Sequence, residues 1–205
     1  MTEVPNKRAQ LRQERRRQIL EAALEVFTQK GFNAANVSDV AARAGVSQGT
    51  IYWYFESKED LLSQVFLSFF DDFGQGTLQA LEQCPTATEK LRALGRAMVD
   101  LAGMAEGLFT LFLEFWASSA RRQEVGQIWT DLLVDYKDLV ASVIEEGVQS
   151  GEFRPVDAGQ LVWAMLAAYD GLAAYHMLLP DMDLDRISRS FVETLLAGLQ
   201  VEGQA

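Results

Sequence analysis

The 205-residue chain has one cysteine, Cys84, and one histidine, His176. A lone cysteine excludes a disulfide framework within the chain. With a lone histidine beside it, a structural zinc site of the usual Cys/His type is excluded too. Proline is scarce, at 4. No period-2 alternation is bounded by turn residues, so strands are not indicated. No run reaches about 18 uninterrupted apolar residues, the length of a membrane span. The richest run, 101–117, is interrupted by Glu106 and Glu114. The first 18 residues are basic and lack an apolar segment, so no secretory signal is read. These absences predict a soluble, cytoplasmic protein in a reducing setting, with no membrane partner, no metal and no cofactor. A Ser-His-Asp set would have to use His176, no Gly-x-Ser-x-Gly elbow is present, and Gly74-Gln75-Gly76 lacks the third glycine of a dinucleotide loop. No catalytic residue is expected.

What is present begins with an uneven charge. The net charge is −11. Residues 1–60 carry 9 Lys+Arg against 8 Asp+Glu, while residues 61–205 carry 9 against 21. Within 1–17 the balance is 6 basic to 2 acidic. A basic arm on an acidic body suggests two separate tasks.

Spacings of three and four predict an all-α fold of about nine helices. Ile19, Leu20, Ala23, Leu24 and Phe27 form one apolar stripe stopped by Gly31. A short helix follows Asn36, with Asp39 three residues on, and ends at Gly45. Ser47 caps a third helix, Gln48 to about Tyr54. Ser57, with Asp60, caps a fourth whose broad face is Leu61, Leu62, Val65, Phe66, Phe69, Phe70 and Phe73. Five more helices are expected at roughly 87–103, 105–120, 123–149, 158–178 and 184–200. The expected organisation is a disordered basic arm over 1–10, a helix-turn-helix domain over 11–57, a helical body over 58–201 and a disordered tail over 202–205.

Two short helices joined by about three residues with a glycine at the bend have DNA-binding geometry. At ~100° per residue, Ile51 and Phe55 fall together and face the core. The opposite face centres on Trp53, beside Gly49, Thr50, Gln48, Tyr52 and Tyr54. Gln can pair with adenine, Thr can touch a thymine methyl, and Tyr can bond to phosphate. Lys58 would sit beside the backbone, and Lys7, Arg8, Arg12, Arg15, Arg16 and Arg17 supply salt-dependent attraction.

The runs Val37-Ser38-Asp39-Val40-Ala41, Ala44-Gly45-Val46-Ser47-Gln48-Gly49-Thr50-Ile51-Tyr52-Trp53-Tyr54-Phe55 and Ser57-Lys58-Glu59-Asp60-Leu61 resemble the signature of the TetR/AcrR family of transcriptional regulators over about residues 15–62. The resemblance implies a nine-helix fold with an N-terminal DNA-binding head and a larger effector-binding, dimerising domain. It places Gln48, Thr50, Tyr52 and Trp53 at positions that contact bases or phosphates, and Tyr54 and Lys58 at backbone contacts. Asn36 stands where the family often has Thr, so a phosphate contact there is in doubt. The candidate DNA-contact set is Arg16, Asn36, Gln48, Gly49, Thr50, Tyr52, Trp53, Tyr54 and Lys58. The C-terminal half, from Glu114-Phe115-Trp116 through Gly151-Glu152-Phe153-Arg154-Pro155 to Asp170-Gly171-Leu172, resembles the BetI-like subgroup; no effector follows from this.

In the body, most aromatics read as core. Two carboxylates inside apolar runs, Glu114 and Asp170, are costly unless paired or facing a cavity. Aromatics with a carboxylate suit a cationic or amine-bearing effector. The candidate effector residues are Phe112, Glu114, Phe115, Trp116, Trp163, Tyr169, Asp170 and His176. His176 reads first as a hydrogen-bonded helix-8 histidine. Small residues on helix 8 and an apolar stripe on helix 9 suggest a dimer interface at Ala164, Ala168, Gly171, Ile187, Phe191, Leu195 and Leu199. The leading reading is a homodimeric repressor that leaves a palindromic operator when an apolar or amphipathic effector binds. The alternative is a helical protein–protein adaptor of the same fold without effector or operator binding.

Overall fold

Three glycines with positive φ stop three helices: Gly31 (75°), Gly45 (65°) and Gly151 (80°). At Gly45 the motif is complete. Its N–H bonds to the Ala42 carbonyl at 3.3 Å and that of Val46 to the Ala41 carbonyl at 3.0 Å. This left-handed cap turns the chain sharply into the next helix. The computed structural model describes residues 7–103, 108, 110–114 and 123–201. Its helices are α1 (Lys7–Lys30), α2 (Val37–Ala44), α3 (Gln48–Tyr54), α4 (Lys58–Glu82), α5 (Ala87–Gly103), α6 (residues 108 and 110–114), α7 (Gln123–Ser150), α8 (Ala158–Leu178) and α9 (Leu184–Leu199). Among the described residues there is no strand, only an isolated bridge between Phe153 and Gln200.

Helix starts follow side-chain caps. Ser47 Oγ accepts the Thr50 N–H at 3.1 Å, Ser57 Oγ that of Asp60 at 3.0 Å and Asp157 Oδ1 that of Gln160 at 3.0 Å. Asp183 Oδ1 accepts that of Arg186 at 2.9 Å. Each such cap stabilises its helix by about 1 kcal/mol. The expected disordered arm is corrected in part: residues 7–10 are already helical. No Gly or Pro interrupts 7–30, and Arg17 bonds Glu14 and Glu21, both at 3.0 Å, along the helix face. Residues 1–6 and 202–205 lie outside the described residues.

Two apolar clusters divide the molecule. The first joins α1, α2 and α3 to the N-terminal half of α4 through Ile19, Phe27, Val40, Ile51, Phe55, Leu61 and Phe66, and it takes in Leu108 and Leu111 of α6. The second joins α5, α7, α8 and α9 through Leu91, Ile144, Phe153, Val162 and Leu196. α4 starts in the first cluster and ends, at Leu81, in the second.

α8 is, by length and composition, apolar enough to cross a membrane (mean hydropathy 1.2 over an 18-residue window), a feature that counting uninterrupted runs overlooks. Its buried residues, Ala158, Val162, Met165, Leu166 and Tyr169, pack toward α7 and the second cluster. On α9 the inward residues are Leu184, Ser188, Val192, Leu196 and Leu199. Leu199 is therefore core within one chain, which corrects its assignment to a dimer face. Ile187, Phe191 and Leu195 flank this stripe and are half-buried.

Candidate nucleic-acid interface and effector cavity

α3 divides its residues as helical periodicity requires. Ile51 and Phe55 are buried, whereas Tyr52 is 56% and Trp53 62% exposed. Gln48 and Gly49 are exposed beside them. Thr50 is half-buried, and its hydroxyl lies 2.9 Å from Ser47 Oγ, so it is held at the start of the helix. The half-buried Tyr54 supports the Trp53 ring edge-on at 4.7 Å.

Three cations rest on aromatic rings of the head, one of them on this face. The Arg12 guanidinium lies 4.6 Å from the Trp53 ring centre, Lys58 Nζ 4.3 Å above Phe32 and the Arg16 guanidinium 5.7 Å from Phe55. Arg16 also donates to Gln64 Oε1, tying α1 to α4. Arg12 stands beside Trp53 on this face and is not among the DNA-contact residues that the sequence suggests. The unbroken helical composition of α1, which lays this arginine beside α3, was the available signal. Asn36 is exposed, and its N–H donates to Asp39 Oδ2 at 3.0 Å. Lys30, 2.8 Å from Asp39, and that N–H hold the Asp39 carboxyl below its usual range.

A cavity of about 550 Å³ lies behind this head. Its wall is mainly aromatic and aliphatic: Phe66, Phe69, Phe70 and Phe73 from α4, Met98 and Leu101 from α5, Phe112 from α6, and Trp129 and Tyr136 from α7. α8 adds Tyr169 and Asp170. Phe112 packs edge-on against Trp129 at 4.6 Å, and Trp129 lies 5.8 Å from Phe70. The charged residues among the described lining are all carboxylates: Asp71, Asp135 and Asp170. Burial pushes the Asp170 carboxyl up, and it likewise raises the Tyr136 phenol. The Tyr169 hydroxyl lies 2.9 Å from Ser188 Oγ, which donates to the Gly95 carbonyl at 3.2 Å. A carbonyl can only accept, so Tyr169 is the donor to Ser188. This bond links the cavity wall to α9 and α5.

The predicted effector residues separate. Phe112, Tyr169 and Asp170 line the cavity. Glu114, Trp163 and His176 are not among the lining residues. Glu114 instead accepts the Phe32 N–H at 3.2 Å. Trp163 is 41% exposed on the outer side of α8. His176 is half-buried in the last turn of α8, and its Nδ1 has no hydrogen-bond partner among the described residues, contrary to the expected hydrogen-bonded histidine. Phe115 and Trp116 lie outside the described residues. The α4 phenylalanines and Asp135 line the cavity and are not in the set that the sequence suggests. The signal was an α4 apolar face broader than one core contact requires. Of the dimer candidates, Ala164 is exposed and Ala168 and Gly171 are half-buried on the outer side of α8.

The family model for bacterial regulatory proteins of the tetR family matches residues 19–65, and that for the C-terminal region of BetI-type transcriptional repressors matches residues 87–200. The fatty acid metabolism regulator protein of Bacillus subtilis is 31% identical over 188 residues, covering 89% of this chain and 94% of that protein. The crystal structure of the transcriptional regulator FadR from Bacillus subtilis in complex with stearoyl-CoA superposes with a TM-score of 0.76 at 30% identity, covering 88% of this chain and 97% of the other. A regulator from Saccharomonospora viridis in complex with choline shares the fold (TM-score 0.80, 23% identity, 93% of this chain and 100% of the other). With a helix-turn-helix head over one matched region and an apolar cavity walled largely by the other, the chain belongs to the TetR family of DNA-binding transcriptional regulators, with a C-terminal region of the BetI type.

Proposed function

We propose that the protein is a homodimeric, cytoplasmic repressor whose operator affinity falls when an elongated, mainly apolar effector fills the cavity. In this reading, residues 11–57 form the DNA-reading head and 58–201 the effector-binding and dimerising body. Gln48, Gly49, Thr50, Tyr52 and Trp53 face the major groove. Asn36, Tyr54, Lys58 and the arginines Arg12 and Arg16 lie along phosphates. The observation that carries the reading is continuity: α4 begins at Lys58 beside the recognition face and its Phe66–Phe73 segment walls the cavity. An effector that prefers a body state with wrongly spaced heads lowers operator affinity by its coupling energy, typically ~1–3 kcal/mol.

The stearoyl-CoA complex of the 30%-identical relative supports a long apolar chain as the occupant. Asp71, Asp135 and Asp170 on this cavity wall favour a cationic or neutral polar end over an anionic one. The adaptor alternative gives no reason for an exposed Tyr52–Trp53 face.

Fluorescence anisotropy on DNA flanking the protein's own gene, with scrambled competitor, tests the reading. We expect competitor-resistant binding that weakens with salt by a log–log slope of about 0.9 for each phosphate neutralised. Hexadecyltrimethylammonium should release the DNA more readily than stearoyl-CoA. Release by stearoyl-CoA alone reverses the preference at the polar end. Release by neither probe, with no thermal shift, counts against the cavity as the effector site.

A further inference from the structure

We propose that Glu114 is a positioning residue for operator recognition, fastening the cavity wall to the DNA-reading head. This rests on the regulator reading above. Glu114 Oε2 accepts the Phe32 N–H at 3.2 Å, a bond between residues 82 apart in sequence. Phe32 follows Gly31, whose left-handed conformation ends α1. A Cβ placed on Gly31 would lie 4.0 Å from Glu114 Oε1, so both carboxylate oxygens lie at this turn.

Phe32 is well placed to pass on a change of position. Its ring packs edge-on against the buried Phe27 at 5.5 Å and lies 4.3 Å beneath Lys58 Nζ. On the other side, Phe112 stands two residues before Glu114 and lines the cavity against Trp129. Leu111, next to Phe112, is buried in the head's own apolar cluster. One short stretch of α6 therefore touches the cavity, the head core and the α1–α2 turn. The contact gives this carboxylate, set in an apolar run, a backbone donor at the α1–α2 turn.

The consequence concerns the spacing of two heads, not the integrity of one. Loss of the bond leaves each head able to grip a half-site but frees its angle on the body. The test uses a palindromic operator selected from random DNA by the wild-type protein, together with the isolated half-site. Anisotropy is measured for Glu114→Ala, Glu114→Met and Glu114→Gln, with circular-dichroism melting as the fold check.

We expect Ala and Met to weaken full-operator binding by about fivefold or more, the lower end of typical coupling factors. Half-site affinity should not change. Gln, whose amide oxygen accepts the same N–H, should bind as wild type. Full-operator binding by the Met variant equal to wild type overturns the proposal. So does an equal loss on operator and half-site, which is what damage to the head itself would produce. So does a Gln variant as weak as Ala. A wild-type chain that selects no DNA overturns the regulator reading and this inference with it.

Discussion

Carboxylates in this molecule serve different ends according to the donors around them. Glu152 crosses from the turn after α7 to the start of α5. Its two oxygens accept the N–H groups of Ala87 and Thr88, both at 3.1 Å. Burial raises the Glu152 carboxyl, but these two bonds with those from Ser150 and the Thr88 side chain outweigh it and hold the group below its usual value. The folded-state value is lowered, so the stabilisation is present above the ordinary carboxylate range and is lost as pH falls through the lowered value. Glu152→Ala should therefore lower Tm by roughly 2–4 °C at neutral pH, the effect of losing a cap of about 1 kcal/mol, and the deficit should shrink in acid. A deficit independent of pH in calorimetry would refute the charge assignment. Asp170 runs the other way. Burial raises its carboxyl, so its contribution is most favourable at low pH and declines as pH rises through the raised value.

At the scale of the element, the same residue type carries opposite expectations in two helices. Gly76 in α4 has open space where a Cβ would stand. Gly147 in α7 has the Phe153 ring against its backbone, and a Cβ there would collide with that ring and lie 2.9 Å from Ala87 Cβ. Gly76→Ala should stabilise by up to about 1 kcal/mol, the helix-propensity difference. Gly147→Ala should destabilise by about 1–3 kcal/mol because the core is overfilled. Urea denaturation of the two variants checks both signs at once. This contrast also marks what was legible in the sequence. The stops at Gly31, Gly45 and Gly151 and the caps at Ser47, Ser57 and Asp157 are local chemistry, readable over four residues. The exposed Tyr52 and Trp53 follow from the 3.6-residue helical period applied over a seven-residue helix. The packing of Phe153 on Gly147, the turn of Glu114 toward Phe32 and the inward position of Leu199 depend on which helix lies opposite. One sequence without that arrangement offers Glu114 a cavity as readily as a backbone donor. α1 is the intermediate case: its uniform helical composition was visible, but basic charge at a chain end suggested disorder instead.

At the scale of the whole molecule, α8 leaves one apolar side uncovered in a single chain. Trp163 is 41%, Tyr175 59% and Leu178 77% exposed, and Ala164 and Ala167 are exposed among them. These positions recur at three and four residues along one side of the helix, opposite Val162, Leu166 and Tyr169. A contiguous apolar stripe of this kind marks an association surface. Its small residues allow a second helix to approach closely, and pairing with its own symmetry copy would cover the stripe in an isologous contact. Two heads would then be held at a fixed spacing, the condition for reading a palindrome. Tyr175→Asp combined with Leu178→Asp places charge on exposed positions and leaves the chain's own core untouched. The pair should shift the sedimentation mass from two chains to one and raise the operator Kd by about tenfold or more, equivalent to ~1.4 kcal/mol. Half-site binding should survive, because Tyr52, Trp53 and Lys58 stand on the head, whose core is the other apolar cluster. A variant that stays dimeric places the interface elsewhere. A variant that is monomeric yet binds the full operator as wild type would show that each head reads DNA alone, and the spacing argument would fail.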